Sequence, residues 1–70
     1  MVDPAQVRLT IYNLLGQEII TLVDERRPSG RYVETWDGKD RFGKTVPSGT
    51  YIYQLKAGDL VASRKMVLLR

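Results

Sequence analysis

The chain has 70 residues, a formal net charge of +3, and neither cysteine nor histidine. A chain this short forms one domain and buries only about 60% of the surface that its unfolded form exposes, so its core is thin. Without cysteine there is no disulfide or thiolate metal site, and without histidine the usual zinc ligand and neutral-pH general base are both missing. The composition therefore favours a structural or recognition role, and no cofactor is expected.

The distribution of charged and apolar residues argues against two common partners. Nucleic-acid binding favours a single basic patch with exposed aromatic residues, whereas the lysines and arginines here are spread along the chain. No stretch approaches the roughly 18 apolar residues that a membrane-spanning helix requires. We therefore expect neither a nucleic-acid partner nor membrane insertion.

The first residues, Met1-Val2-Asp3-Pro4, have neither the basic region nor the apolar core of a signal peptide. We interpret residues 1–6 as a linker remnant behind an added initiator methionine. Residues 7–70 are then the folded domain.

Apolar and polar residues alternate along much of the chain with the period of two that is typical of β-strands. Between the alternating segments lie turn signals, among them Asn13 to Gly16 and the tight hairpin dipeptide Gly58-Asp59. Five short strands with turns between them and no helical window indicate an all-β, antiparallel sandwich. The predicted strands are 7–12, 18–23, 31–36, 50–56 and 60–69, with a short extra strand near 45–46.

Catalysis has little support in the sequence. The serines have no histidine to activate them. Asp37 and Asp40 share one predicted loop, where a general acid/base pair can be imagined. However, Asp37-Gly38 is a common turn dipeptide whose aspartate bonds its own backbone. We predict no catalytic residue, and a protein that is not an enzyme.

The same two aspartates have an alternative interpretation as oxygen ligands of calcium. The loop lacks the alternating aspartate order of a helix–loop–helix calcium site. Lys39 and Arg41 also flank Asp40 and offset its negative charge. We therefore predict no metal site and keep calcium at Asp37 and Asp40 as the alternative.

The single tryptophan, Trp36, has two interpretations. An exposed indole ring could stack on a sugar, as in a carbohydrate-binding module. A buried ring would anchor a small core, because an aromatic side chain buries about 150–250 Å². With so little else to bury, the core interpretation is favoured.

Four segments in a fixed order resemble a known protein family. They are residues 7–18, Gly30-Arg31-Tyr32 followed by Trp36-Asp37-Gly38, the Pro-x-Gly-x-Tyr motif at 47–51, and the terminal segment 65–70. Together they resemble the type A C-terminal sorting domains of bacterial type IX secretion cargo. The resemblance covers about residues 7–70, and the ordered set is more specific than any one piece.

The resemblance implies a small Ig-like antiparallel β-sandwich at the end of a secreted protein of Bacteroidetes or related phyla. It implies transport of that cargo from the periplasm to the cell surface or the medium. The implied partners are an outer-membrane translocon and a sortase-like peptidase that removes the domain. The implied recognition residues are Pro47, Gly49, Tyr51, Lys65 and Arg70.

The sequence departs from the sorting-domain pattern at two positions. Glu34 stands where the family more often has an apolar residue, which makes the local register uncertain. Arg70 replaces the common terminal lysine, and arginine and lysine bind partners differently.

Four of the five recognition residues also have a purely structural interpretation. Pro47 and Gly49 would shape a turn, Tyr51 would fill the core, and Lys65 would be an edge lysine that blocks aggregation. On either interpretation we expect a monomer or a weak dimer paired through an edge strand.

Two competing functions remain open. The Ig-like domain of flagellar hook-capping proteins has a similar Trp-Asp-Gly and Gly-x-Tyr pattern, and it would make this chain an assembly module. The terminal strand favours sorting, because the hook-capping domain is usually an internal segment. A carbohydrate-binding module of a secreted enzyme is the third possibility, and it requires an exposed Trp36.

Overall fold

The computed structural model describes residues 5–28 and 34–69, which form four antiparallel strands in one sheet. The strands are β1 (Ala5–Tyr12), β2 (Glu18–Arg27), β3 (Gly49–Ala57) and β4 (Leu60–Leu68). Their order across the sheet is β2-β1-β3-β4, so β1 and β3 are central and β2 and β4 are the edges. The predicted all-β antiparallel class is confirmed. The described residues contain no helix that could cross a membrane.

β2 is longer than the sequence predicted. The polar residues after Val23 were assigned to a loop, but the strand continues to Arg27, directly before Pro28. It continues because β1 begins early and supplies partners: Ala5 pairs with Arg27, and Gln6 with Arg26. These first residues of β1 were assigned from the sequence to a linker remnant.

The predicted third strand, 31–36, does not form in its described part. Residues 31–33 lie outside the described residues, and Glu34, Thr35 and Trp36 adopt no strand structure. The prediction was wrong here because it rested on β-forming residue types. Trp36 instead packs against the core, and its indole bonds the loop that follows.

One face of the sheet is apolar, and the core lies on it. The register places Leu9 opposite Leu55 and Ile11 opposite Tyr53, so the central strands direct apolar side chains to the same side. This confirms the predicted alternation in β1 and β3. The most buried cluster consists of Ile11, Val46 and Tyr51.

The other face is polar, with one buried exception. Thr10 was predicted on the outward side of β1, and only 3% of it is exposed. Arg8, Tyr12 and Gln54 line a shallow cleft around it, so long side chains of the two central strands cover this short one. Its hydroxyl lies 3.3 Å from that of Thr21 on β2, which satisfies the buried oxygen.

Two β-bulges bend β2 toward the core. The pairing with β1 skips Leu22 and Ile19, and each skip places an extra residue on the β2 side. Both extra residues pack against the core cluster. A bulge frees backbone groups from the ladder, and the carbonyl of Ile19 accepts the N–H of Arg41 at 3.1 Å.

The segment 34–47 therefore covers the apolar face as a second layer. Trp36 and Val46 supply its apolar contacts, and Arg41 attaches it to the edge of the sheet. The short strand predicted near 45–46 amounts to a single bridge between Lys39 and Thr45. β3 and β4 then meet in a two-residue hairpin with Gly58 at φ +59° in its first central position.

The burial pattern predicts that valine-to-alanine substitutions on the two edge strands reduce the free energy of unfolding by different amounts. Val23→Ala removes buried methyl groups, because only 5% of Val23 in β2 is exposed. We expect a loss of about 2 kcal/mol in the free energy of unfolding. Val67→Ala in β4, where 67% of the residue is exposed, should change that free energy by at most about 0.5 kcal/mol. Urea denaturation measures both, and equal costs would contradict the assignment of the core face.

Candidate functional site

The Pro-x-Gly-x-Tyr motif forms the turn by which the chain enters β3. The hydroxyl of Tyr51 donates a 2.6 Å hydrogen bond to the carbonyl of Pro47, four residues upstream. Gly49 begins the strand at φ +154°, a conformation that side chains disfavour. The motif therefore specifies a turn in which Gly49 supplies the required backbone conformation and the Tyr51 hydroxyl bonds the strand to the turn.

A tyrosine whose hydroxyl bonds backwards to the main chain near the start of a strand is a feature of Ig-type sandwiches. Here the same side chain is also in the core, with 6% of the residue exposed. Tyr51 therefore cannot offer its ring to a partner. Any part that it plays in recognition must come from shaping the turn.

The side chain of Trp36 packs against the core and does not form an exposed platform. Its ring meets the ring of Tyr51 edge to face, with centroids 5.3 Å apart and planes at 74°. Its Nε1–H donates to the carbonyl of Lys39 at 2.9 Å. The core interpretation of Trp36 is confirmed, and the exposed platform that a carbohydrate-binding module requires is not formed by this residue.

The two candidate calcium ligands act as turn acceptors. Oδ1 of Asp40 accepts the backbone N–H groups of Phe42 and Lys44, at 2.9 and 3.0 Å. Oδ1 of Asp37 accepts the N–H of Lys39 at 3.1 Å. In the described parts of the chain, no group of three histidine, cysteine, aspartate or glutamate side chains could hold a metal ion.

The Asp40 turn has a twin between β1 and β2. In residues 40–44 the N–H of Asp40 donates to the carbonyl of Lys44, and the carbonyl of Asp40 accepts the N–H of Gly43. Oδ1 of Asp40 accepts two further backbone amides. In residues 13–17, Asn13 makes the same four bonds, with Gly16 in the fourth position. Both glycines have positive φ, +82° and +81°. The two turns share the spacing Asn/Asp-x-x-Gly, which is visible in the sequence.

The twin turns present apolar side chains to solvent at one end of the sheet. Leu14, Leu15 and Phe42 are 61%, 83% and 75% exposed. The backbone bond between Arg41 and Ile19 joins the two turns. Arg41 also lies over the Phe42 ring at 5.3 Å and reaches Glu18 at 3.6 Å. The sequence pattern places Leu14, Leu15 and Phe42 in turns, but it does not show that their side chains are exposed.

The remaining predicted recognition residues lie where β3 begins and β4 ends. Gly49 pairs with Leu68 and Ile52 pairs with Lys65, so the 47–52 and 65–68 segments are side by side. Tyr51 and Lys65 nevertheless face opposite sides of the sheet, because Tyr51 pairs with Met66. Pro47 and Lys65 are exposed. Arg70 lies outside the described residues.

Glu34, which departs from the sorting-domain pattern, has a partner. Its carboxylate lies 2.8 Å from the guanidinium of Arg27, at the end of β2. Glu25 bonds the same guanidinium at 2.6 Å. The hydrogen bonds to Glu25 and then to Glu34 raise the pKa of Arg27, so this side chain stays charged. The pairing fixes Glu34 beside the sheet before the chain reaches Trp36.

Comparison with known families supports one of the two resemblances. A family model described as the FlgD Ig-like domain matches residues 3–60, well over half of the chain. The chain belongs to this family. The match to FlgD Ig-like domains contains β1, β2, the covering segment, the Tyr51 corner and β3, and it ends at the first residue of β4.

The Ig-like fold of the FlgD family agrees with the all-strand architecture and with the tyrosine corner. The finer resemblance to type A sorting domains is not supported by the family match. Searches of the curated proteins and of the solved structures each found no match.

The corner of this FlgD Ig-like domain predicts a measurable hydrogen-bond contribution. Tyr51→Phe removes the bond to Pro47 and keeps the ring, so the free energy of unfolding should fall by about 1 kcal/mol. Tyr53→Phe is the matched control, because no hydrogen bond of the Tyr53 hydroxyl is present in the described residues, and we expect no measurable change. Urea titrations measure both variants, and equal stability of the two would contradict the role given to Tyr51.

The twin turns predict which substitutions of Asp40 are tolerated. Asp40→Ala removes the acceptor of two backbone amides and should cost about 1–2 kcal/mol in unfolding free energy. Asp40→Asn keeps an acceptor oxygen, as Asn13 does in the twin turn, so it should remain close to the unsubstituted protein.

Thermal unfolding with and without calcium chloride extends this test to the calcium alternative. As turn acceptors, the aspartates should leave the melting temperature of both Asp40 variants and of the unsubstituted domain independent of calcium. A calcium-dependent increase that Asp40→Asn abolishes would instead assign a metal site.

Proposed function

We propose that this FlgD Ig-like domain is a non-catalytic structural module that holds other protein chains in an assembly. The observation that supports the proposal most is the placement of exposed apolar side chains. Among the described residues they occupy the tips of the twin turns, the strand β4 and the residue after it, with Leu14, Leu15, Phe42, Leu60, Val61, Val67 and Leu69 all more than half exposed. Groups of exposed apolar residues on a small domain are typical of protein contact sites, and Leu14-Leu15 and Leu60-Val61 are each adjacent in the chain.

The residues that could have bound a sugar or a metal ion have structural roles instead. Trp36 and Tyr51 pack against each other, and their polar atoms bond backbone carbonyls. Asp37 and Asp40 cap turns. This distribution supports recognition through the outer surface of a rigid frame rather than through a pocket.

Site-specific photocross-linking in the source organism tests the assembly proposal. A benzophenone amino acid replaces Phe42 at a turn tip or Val67 on β4, and Lys56 on the central strand β3 serves as an exposed control. We expect discrete heavier species with Phe42 and Val67 and much weaker ones with Lys56. No protein adduct at either test position, or equal yields at all three, would contradict the proposal.

A second candidate is the sorting function of type IX secretion cargo. One observation favours it: Lys65 is an exposed cation next to the apolar residues 66–68 of β4, and this segment carries part of the resemblance. In this case the partners would be the outer-membrane translocon and a sortase-like peptidase. The domain would then act in the periplasm on the way to the cell surface.

A secretion assay separates the two candidates. The chain is fused through a flexible linker to a fluorescent protein with an ordinary signal peptide, in a host that has the type IX machinery. An assembly module leaves the reporter in the periplasm beside an exported positive control. Reporter at the cell surface or in the medium, lost when the translocon is deleted, would assign sorting instead.

A further inference from the structure

The two edges of the sheet are protected to different degrees. Edge strands expose unpaired backbone groups that can pair with another chain, and proteins block them with bulges, charges, proline or short length. β2 has two bulges, at Leu22 and Ile19, and its last four residues are charged. Pro28 follows directly. This edge has several of the features that prevent strand addition.

β4 has few of these features. Its nine residues pair with β3 in one continuous register from Leu60 to Leu68, without a bulge, and none of them is proline or glycine. Among the described residues only β3 pairs with β4, and none of them pairs with its outer edge. Leu60, Val61 and Val67 near its ends are 62%, 55% and 67% exposed.

The centre of this open strand carries positive charge. Arg64 and Lys65 are adjacent and exposed. Neither forms an ion pair within the described parts of the chain. Because neighbouring residues of a strand point to opposite faces, the two cations flank the edge from both sides of the sheet.

We propose that the outer edge of β4 binds an extended acidic segment of another protein chain as a fifth strand. Backbone hydrogen bonds along the edge would supply affinity, and side chains at alternate positions would supply specificity. The matching segment has two adjacent carboxylates at its centre, one for each cation, and aliphatic residues at both ends for Leu60, Val61 and Val67. The inference deepens the proposed assembly function, on which it rests, by naming the chemistry of the partner.

A second copy of the chain fits this edge poorly. Two β4 strands paired antiparallel over their full length are related by a two-fold axis near Arg64 and Lys65. Depending on the register, Arg64 then lies opposite Arg64 of the second copy, Lys65 lies opposite Lys65, or Arg64 lies opposite Lys65. Like charges directly opposite each other across strands are destabilising. Carboxylates at the same positions would reverse the sign of this interaction.

The test uses two synthetic peptides of about ten residues, made of alternating threonine and valine. One has two glutamates at its centre and the other has two lysines. We expect the glutamate peptide to bind the 70-residue chain at least about tenfold more tightly than the lysine peptide. NMR should show new protection of β4 amides from hydrogen exchange and no change along β2.

Charge-reversal variants make the test specific to the edge. The double variant R64E/K65E should reverse the preference and bind the lysine peptide more tightly. In single variants, K65E should weaken binding of the glutamate peptide several-fold. K56E, which makes the same charge change on the same face of central β3, should have a much smaller effect. Circular dichroism confirms that each variant is folded.

Several results would overturn the inference. Absence of binding to either peptide, equal affinity for both, or equal losses with K65E and K56E would show that the edge does not select an acidic strand. If the β4 amides that point away from β3 were already protected in the free monomer, the chain would cover its own edge. A dimer by sedimentation with β4 protected would assign the edge to a second copy. If cross-links form at Phe42 and Val67 but the peptides bind without preference, this inference alone is overturned. If neither the cross-links nor the peptide preference is observed, the assembly function is overturned as well.

Discussion

Tyr51 makes the contacts on which the rest of this small domain depends. Its ring packs with Ile11 of the sheet and Val46 of the covering segment, and Trp36 meets it edge to face. Its hydroxyl ties β3 to the turn at Pro47. A sheet with one apolar face is stable only when that face is covered, and in the described residues the cover is a segment without regular strands. One side chain therefore joins the sheet, the cover and the turn between them.

This arrangement explains why the proposed contact surfaces lie away from Trp36 and Tyr51. With 70 residues and no disulfide, the domain uses these two rings for packing, and Asp37 and Asp40 for turn geometry. The features left at the surface are the tips of the twin turns and the open edge of β4. The turns are held by backbone and side-chain hydrogen bonds, and β4 is held by its pairing with β3, which suits the proposed module that contacts other proteins.

Where strand pairing follows residue alternation, the sequence was sufficient to predict it. The alternating residues of β3, the hairpin at Gly58 and the apolar face of β1 all follow from a period of two and a turn dipeptide. The extension of β2 through polar residues did not, because it depends on partners that β1 supplies from the other end of the sheet. The conformation of Glu34 to Trp36 also depends on tertiary contacts, since Thr35 and Trp36 are residue types that favour strands when considered alone.

For the candidate site, the sequence predicted the turns but not which residues share a face or lie at an open edge. The motif at 47–51 indicated a turn, and the core interpretation of Tyr51 is confirmed, but only the strand register shows that Lys65 lies on the opposite face. The loop of Asp37 and Asp40 was predicted as a turn, but its equivalence to the Asn13 turn appears only from the matching hydrogen bonds. The open edge of β4 follows from the strand order, which no local pattern encodes.

Native-state hydrogen exchange tests most directly whether the covering segment is part of the cooperative core. The backbone N–H of Val46 donates to the carbonyl of Gly38 at 2.9 Å, within the segment itself, so its exchange reports on the cover. If the cover and the sheet form one unit around Tyr51, this amide should exchange with the same opening free energy as the amides of β1 and β3. Exchange of Val46 at a much lower free energy, while the sheet stays protected, would show a loop that opens independently and would contradict the central role of Tyr51.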